Sequence, residues 1–300
     1  MEKFVIGIAA VMLVCLIAGM FVYQEIPKAT VPPFVSESEQ LQKQQQDSRY
    51  ADETIDYSLQ NDELSITYNK GKDWIGVPVE KEELFAGDYS GNQEELIRQS
   101  YILTKERAAF LYWKGSGEVT LSISRDNGQT WQHVTVTQQY PSIRFRKVAF
   151  LNDRFGYVIL SGDRTMSQEM SNVYLTNDGG KSWGETGSSN VTRLISDGGF
   201  VDENTGFLSF GIINPEEPQL YTTQDAGATW NESRIEIPAE YHKIFAIAEM
   251  PVKEGDNLMM LVNQGPNGDY KGGKVKGKFR SKDQGLTWEF VAEVESNDTE

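Results

Sequence analysis

One octet, repeated five times, constrains this chain more than any other feature. TNDGGKSW at Thr176–Trp183 is matched position by position at Ser124–Trp131 (SRDNGQTW), Thr223–Trp230 (TQDAGATW) and Ser281–Trp288 (SKDQGLTW). A fifth copy, Thr67–Trp74 (TYNKGKDW), carries Asn69 where the others carry Asp126, Asp178, Asp225 and Asp283. Each copy reads Ser/Thr, any, Asp/Asn, any, Gly, any, Ser/Thr/Asp, Trp, and five of the six tryptophans close one. Successive tryptophans are 57, 52, 47 and 58 residues apart, the size of one supersecondary unit per copy.

Chemistry explains each position. An Asp between polar neighbours folds its carboxylate onto the N–H groups that follow it and closes an Asx-type turn. The glycine two residues on (Gly71, Gly128, Gly180, Gly227, Gly285) supplies a positive φ that reverses the chain at low cost. The indole (Trp74, Trp131, Trp183, Trp230, Trp288) is a plate that covers the turn. Alternating apolar and polar residues flank the copies, as in EVTLSIS before Asp126 and WQHVTVT after it, so each turn joins two antiparallel strands. Gly180-Lys181-Ser182 also looks like the end of a phosphate-binding loop, but the glycine such a loop needs five residues earlier is Leu175.

The octet resembles the Asp box, or BNR repeat, of the sialidase-like β-propellers, over about 240 residues. VAFLNDRFGYVIL and GGFVDENTGFLSFG, which precede two of the boxes, also look like blades of the photosystem II assembly-factor-like branch. The resemblance implies an all-β fold: a propeller of five blades of four-stranded antiparallel sheets, the first blade partial. The boxes are then structural turns between the third and fourth strands. For the blade containing Trp183 the strands fall at 146–151, 155–161, 172–177 and 183–187, and the same order fits 99–135, 199–237 and 244–294. Residues 57–79 supply only the last two strands, with room for a short one before them.

Other segments frame this domain of 57–296. Phe4–Tyr23 contains no charged or amide side chain, and twenty helical residues span roughly 30 Å, the thickness of a bilayer core. Residues 1–23 therefore read as an uncleaved transmembrane anchor, with Lys3 favouring a cytoplasmic N-terminus and an extracytoplasmic body. Residues 24–56, with Pro-Pro and a Gln run, read as a flexible tether, and 297–300 as a disordered tail. The formal charge of −16 opposes nucleic acid as a partner. A single cysteine, Cys15, allows no intrachain disulfide, and the acidic residues are too few per turn for a calcium cage, so neither metal nor cofactor is expected.

Strand parity divides the chain's loops. The boxes and the short turns NDRFG and DENTG fall at one end of the sheets. The long loops SGDRTMSQEMS, GIINPEEPQ, IPAEYHK and NQGPNGDYKGGK fall at the other, where binding is expected. Arg98, Arg144, Arg193 and Lys243 each precede an inner strand at that loop end, 46, 49 and 50 residues apart. Either they ring the channel mouth and hold a carboxylate, phosphate or acidic peptide, or they are ordinary loop residues spaced by the repeat. Arg146 and Lys147 would reinforce such a patch or face solvent.

Sialidases on this scaffold use three arginines, a tyrosine assisted by glutamate, and an aspartate, and their first arginine sits in a Phe/Tyr-Arg-Ile-Pro motif. The nearest string here, SIRFRK, lacks the proline. The expectation is a membrane-anchored, non-catalytic binding or assembly module for a protein, a cell-envelope polymer or an acidic ligand. The alternative is a sialidase-like glycoside hydrolase with a divergent site. His133 reads as a partly exposed strand residue and His242 as a loop contact.

Overall fold

The computed structural model describes residues 54–295 except 167, 212–214 and 266. The anchor, most of the tether and the tail lie outside the described residues. Within these limits the chain is all-β apart from one short helix and two single-turn 3-10 segments, and it forms five sheets.

The first sheet has three strands, β1 (Asp56–Gln60), β2 (Glu63–Thr67) and β3 (Ile75–Glu80), so the room left for a strand before the first box is filled. Helix α1 (Lys81–Phe85) follows and buries Leu84 and Phe85. The second sheet is β4 (Tyr101–Leu103), β5 (Ala108–Trp113), β6 (Val119–Ser124) and β7 (Gln132–Thr137), in that order. The third is β8 (Ile143–Phe150), β9 (Gly156–Thr165), β10 (Gln168–Thr176) and β11 (Gly184–Glu185). The fourth is β12 (Leu194–Phe200), β13 (Gly206–Gly211), β14 (Gln219–Thr223) and β15 (Asn231–Glu232). All neighbours in these four sheets are antiparallel.

The fifth sheet departs from the expected layout. Its inner strand is split into β17 (Ile247–Ala248) and β18 (Val252–Glu254), both paired with β19 (Asn257–Asn263). Beyond β19 come β20 (Val275–Ser281) and β21 (Thr287–Glu295). Outside β21 lies β16 (Arg234–Glu236), paired in parallel with Thr287–Glu289. The unit read as 199–237 therefore ends earlier: its last residues leave the fourth sheet and extend the fifth. Two further boundaries move. Arg144 lies inside β8 rather than before it, and SGDRTMSQEMS is mostly the hairpin of β9 and β10 rather than a loop.

Four apolar clusters join sheets that are consecutive in sequence. Leu64, Ile66 and Val77 meet Tyr101 and Phe110, and Leu121 and Ile123 meet Val148 and Leu160. Ile159 and Val173 meet Phe200 and Leu208, and Phe207 and Leu220 meet Met260, Phe279 and Trp288. Each fully buried side chain of this size contributes roughly 1.5–3 kcal/mol.

The boxes are closed turns. In the second, Gly128 N–H donates to Ser124 Oγ at 2.9 Å, and Ser124 Oγ–H donates to Asp126 Oδ1 at 2.8 Å. Thr130 then gives its N–H to Oδ1 at 2.9 Å and its hydroxyl to Oδ2 at 2.5 Å. The other three Asp-bearing boxes repeat this set around Asp178, Asp225 and Asp283. In the first box the seventh residue is Asp73, an acceptor, and the third is correspondingly Asn69, whose Nδ2 donates to Asp73 Oδ2 at 2.8 Å. Donor and acceptor are exchanged and the turn is kept.

Candidate functional site

At the loop end, a polar cluster joins the third and fourth sheets. Arg144 Nε donates to Glu169 Oε2 at 2.5 Å, and its Nη2 donates to Glu169 Oε1 and, at 2.7 Å, to the carbonyl of Ile195. Glu169 is fully buried and also accepts the Ile195 N–H at 2.8 Å. The bidentate pair thus fixes the β9–β10 hairpin to β12. Beside it Lys147 Nζ lies 2.6 Å from Asp197 Oδ1. Burial works to lower the Lys147 pKa, but the Asp197 carboxylate and Tyr157 outweigh it, and the ammonium is held above its ordinary value. Burial raises the Tyr157 phenol in turn, against the pull of Lys147.

Arg146 is buried and does not face solvent. Its guanidinium donates to the carbonyls of Leu84, at 3.1 Å, and Ala86, so it caps the C-terminal end of α1. Burial lowers its pKa to about 10. The cations singled out in the sequence therefore have different surroundings. Arg144 is engaged by Glu169 and Lys147 by Asp197, while Arg98 and Arg193 are exposed where they precede β4 and β12. Lys243 is exposed and makes a 3.0 Å pair with Glu216.

Lys243 is the one of the four that lines a described cavity. This depression of about 170 Å³ is also bordered by Pro215, Ile244, Gln264, Asp269 and Tyr270. Gln264 is buried, and its Nε2 donates to the carbonyls of Tyr270 and Val275, each at 2.9 Å. Two acceptors fix the amide's orientation, leaving Oε1 buried with no donor. Nearby, Lys271 pairs with one oxygen of Glu293, and the other oxygen is also buried and unpaired. Two lysines here adopt left-handed backbone, Lys243 at φ 63° and Lys271 at φ 50°, a conformation L residues hold only under local constraint. Tyr241 stacks on Phe245 at 5.0 Å and meets Tyr270 edge-on at 6.3 Å beneath this corner. His242, also exposed, lies 3.0 Å through Nε2 from the Ile237 carbonyl.

The box end has a larger groove, about 710 Å³, between the third and fourth sheets beside Trp183 and Ala228. The box carboxylates there are engaged by their own turns. Hydrogen bonds from Ser182 and Thr176 hold Asp178 well below the usual carboxylate range. Among the described residues no group of three or more His, Cys, Asp or Glu is arranged to hold a metal ion. His133 Nδ1 lies 2.9 Å from Ser122 Oγ and 3.3 Å from Tyr112 OH, but Ser122 is fully buried and closed to a substrate. Neither cavity is lined by an arginine. Among the described residues no helix is long and apolar enough to cross a membrane.

Sequence reasoning missed Gln264 and Glu169. Neither sits in a motif, and both matter through contacts with distant residues. The glycine-rich string KGGK was the available signal for the constrained loop beside the smaller cavity.

Comparison with known proteins agrees with the turn geometry. The BNR/Asp-box repeat family matches residues 122–133, the second box. No curated protein matches the chain. Solved structures similar to it include an exo-β-1,3-galactanase from Phanerochaete chrysosporium, at 12% identity and TM-score 0.36, covering 70% of this chain and 53% of that one. A Hadza microbial sialidase aligns at 14% identity and TM-score 0.40, covering 78% and 52%. The Trypanosoma rangeli sialidase aligns at 12% and 0.42, covering 70% and 41%. The chain thus spans about half the length of the first two, and similarity at this level carries over neither activity nor substrate. The family match on the second box, and the same glycine N–H to Ser/Thr hydroxyl bond in all five octets, make these turns similar to the BNR/Asp-box repeat.

Proposed function

We propose that the five sheets are the blades of a β-propeller, held outside the membrane by residues 1–23, that acts as a non-catalytic binding module through its loop end. The observation that carries this reading is the corner of Lys243, Gln264 and Tyr270, with a cavity, two orphaned acceptors and constrained backbone together. Such features concentrate at sites that meet a ligand. The basic groups of the neighbouring cluster are matched by Glu169 and Asp197, as in a scaffold. The partner is a protein, an envelope polymer or an acidic ligand that meets the cations still exposed, Arg98, Arg193 and Lys243.

A second reading is a sialidase-like glycoside hydrolase; two of the three similar structures are named as sialidases and the third as a galactanase. That reading requires convergent arginines with a Tyr–Glu pair and an Asp. Incubation of the purified full chain with fluorogenic sialosides and galactosides separates the two: the binding reading expects no turnover, and turnover abolished by Tyr157→Phe or Asp197→Asn would establish the hydrolase. Affinity capture from envelope extracts, with Arg98, Arg193 and Lys243 changed to Glu as control, tests the binding reading itself. Equal recovery with and without those charges would remove them from the site.

A further inference from the structure

The fold contains its own example of a strand added beside a box. In the fifth sheet β16 runs parallel to the residues that close the box, pairing Arg234 with Thr287, Ile235 with Trp288 and Glu236 with Glu289. Arg234 N–H donates to the Leu286 carbonyl at 2.8 Å, and Ser233 Oγ–H to the Gly285 carbonyl at 2.6 Å. The equivalent stretch of the third sheet is Ser182, Trp183 and Gly184. There β11 is outermost and pairs only with β10, and no strand of the described residues covers its outer edge. The groove of about 710 Å³ lies along that stretch.

Two further observations point to an occupant. In three of the boxes the indole N–H has an acceptor at 3.0 Å: Trp131 on Gly128, Trp230 on Gly187 and Trp288 on Gly285. The Trp183 N–H is buried and has none. The groove is also one-signed, since Asp178 and Glu185 line it and no basic residue does. A Cβ at Gly184 would touch nothing within 4 Å, so the backbone is open to approach.

We propose that the edge at Trp183–Glu185 takes an extended, lysine-bearing segment of a partner protein as an added strand. Its main chain pairs with the free edge of β11, its ammonium meets Glu185, and one of its carbonyls accepts the Trp183 indole N–H once the ring swings that buried group into the groove it lines. This site is at the box end and stands apart from the loop-end reading.

The test is fluorescence anisotropy on the full chain in nanodiscs, with a labelled nonapeptide of alternating threonine and lysine. Controls are its glutamate-for-lysine counterpart and a form N-methylated at alternate amides. Saturable binding of the lysine peptide is expected, weaker by about tenfold or more for the glutamate peptide and absent for the methylated one. Glu185→Lys inverts the charge preference, and Trp183→Phe, which keeps the plate and removes the donor, weakens binding. In the unaltered chain the peptide slows amide exchange at the outer edge of Trp183–Glu185, which keeps the proposal testable if a variant misfolds; the Thr186 N–H already donates to the Val173 carbonyl. Equal binding of the two charge forms, equal binding of the methylated form, or no added protection at that edge overturns it. A peptide-independent dimer abolished by Glu185→Lys assigns the edge to a second copy and overturns it as well.

Discussion

The first and last boxes share an octet and differ in almost everything around it. Trp288 has no exposed surface: it packs on Phe207 of the preceding sheet at 6.1 Å and lies beneath β16. Trp74 is 46% exposed. A Cβ at Gly285 would collide with the Phe207 ring, whereas one at Gly71 would meet only the indole of its own box. β3 buries Val77 and Val79 on one face and leaves Gly76, Pro78 and Glu80 exposed on the other. The octet therefore encodes a turn, and the sheet before it decides whether the tryptophan becomes core. Among the described residues no sheet precedes box one, and the far face of β3 is polar.

The largest test of this contrast is Trp288→Ala against Trp74→Ala. Removing a fully buried tryptophan costs about 3–5 kcal/mol, while the exposed one costs less than about 1 kcal/mol. Urea unfolding of the two variants reads the difference directly. Equal losses would mean that Trp74 is packed in solution.

Gly285→Ala against Gly71→Ala is the next largest. Both positions have positive φ, 94° and 75°, so both lose the freedom glycine gives. Only Gly285 also meets a neighbouring ring, so about 2–4 kcal/mol is expected there and about 1–2 kcal/mol at Gly71. Thermal melts with matched scan rates check it.

How far such contrasts can be read from sequence follows from the same physics. The boxes and the antiparallel order of the strands around them in the first four sheets follow from local chemistry: Asx turns, glycine φ and period-two alternation all act within a few residues. β16 does not, because its partner Thr287–Glu289 is about fifty residues on and parallel pairing leaves no hairpin signal. Arg144 was legible as a cation at the loop end. Its engagement was not, since Glu169 becomes buried only when the β9–β10 hairpin lies against β12. The corner around Gln264 likewise emerges from three loop segments that share no motif.

The smallest effect is on acid sensitivity. Hydrogen bonds from Thr130, Ser182 and Thr229 hold Asp126, Asp178 and Asp225 below the usual aspartate value of 3.8. A lowered folded pKa means these boxes contribute in full above the unfolded value and lose that contribution as pH falls through the folded one. Asn69 does not titrate, so the first box keeps its bond from the Asp73 N–H to Asn69 Oδ1 in acid. Asp225→Asn should flatten the fall of the urea midpoint below about pH 4, and Asn69→Ala should lower the midpoint without changing that slope.

Indole hydrogen exchange, followed by NMR on the full chain, tests the contrast most directly because each box reports through its own N–H. The Trp288 signal, bonded at 3.0 Å to Gly285 and free of solvent, should be the slowest of the five to exchange, and Trp74 the fastest. A Trp74 signal as protected as that of Trp288 would contradict the account, because it would place a packed surface against the first box.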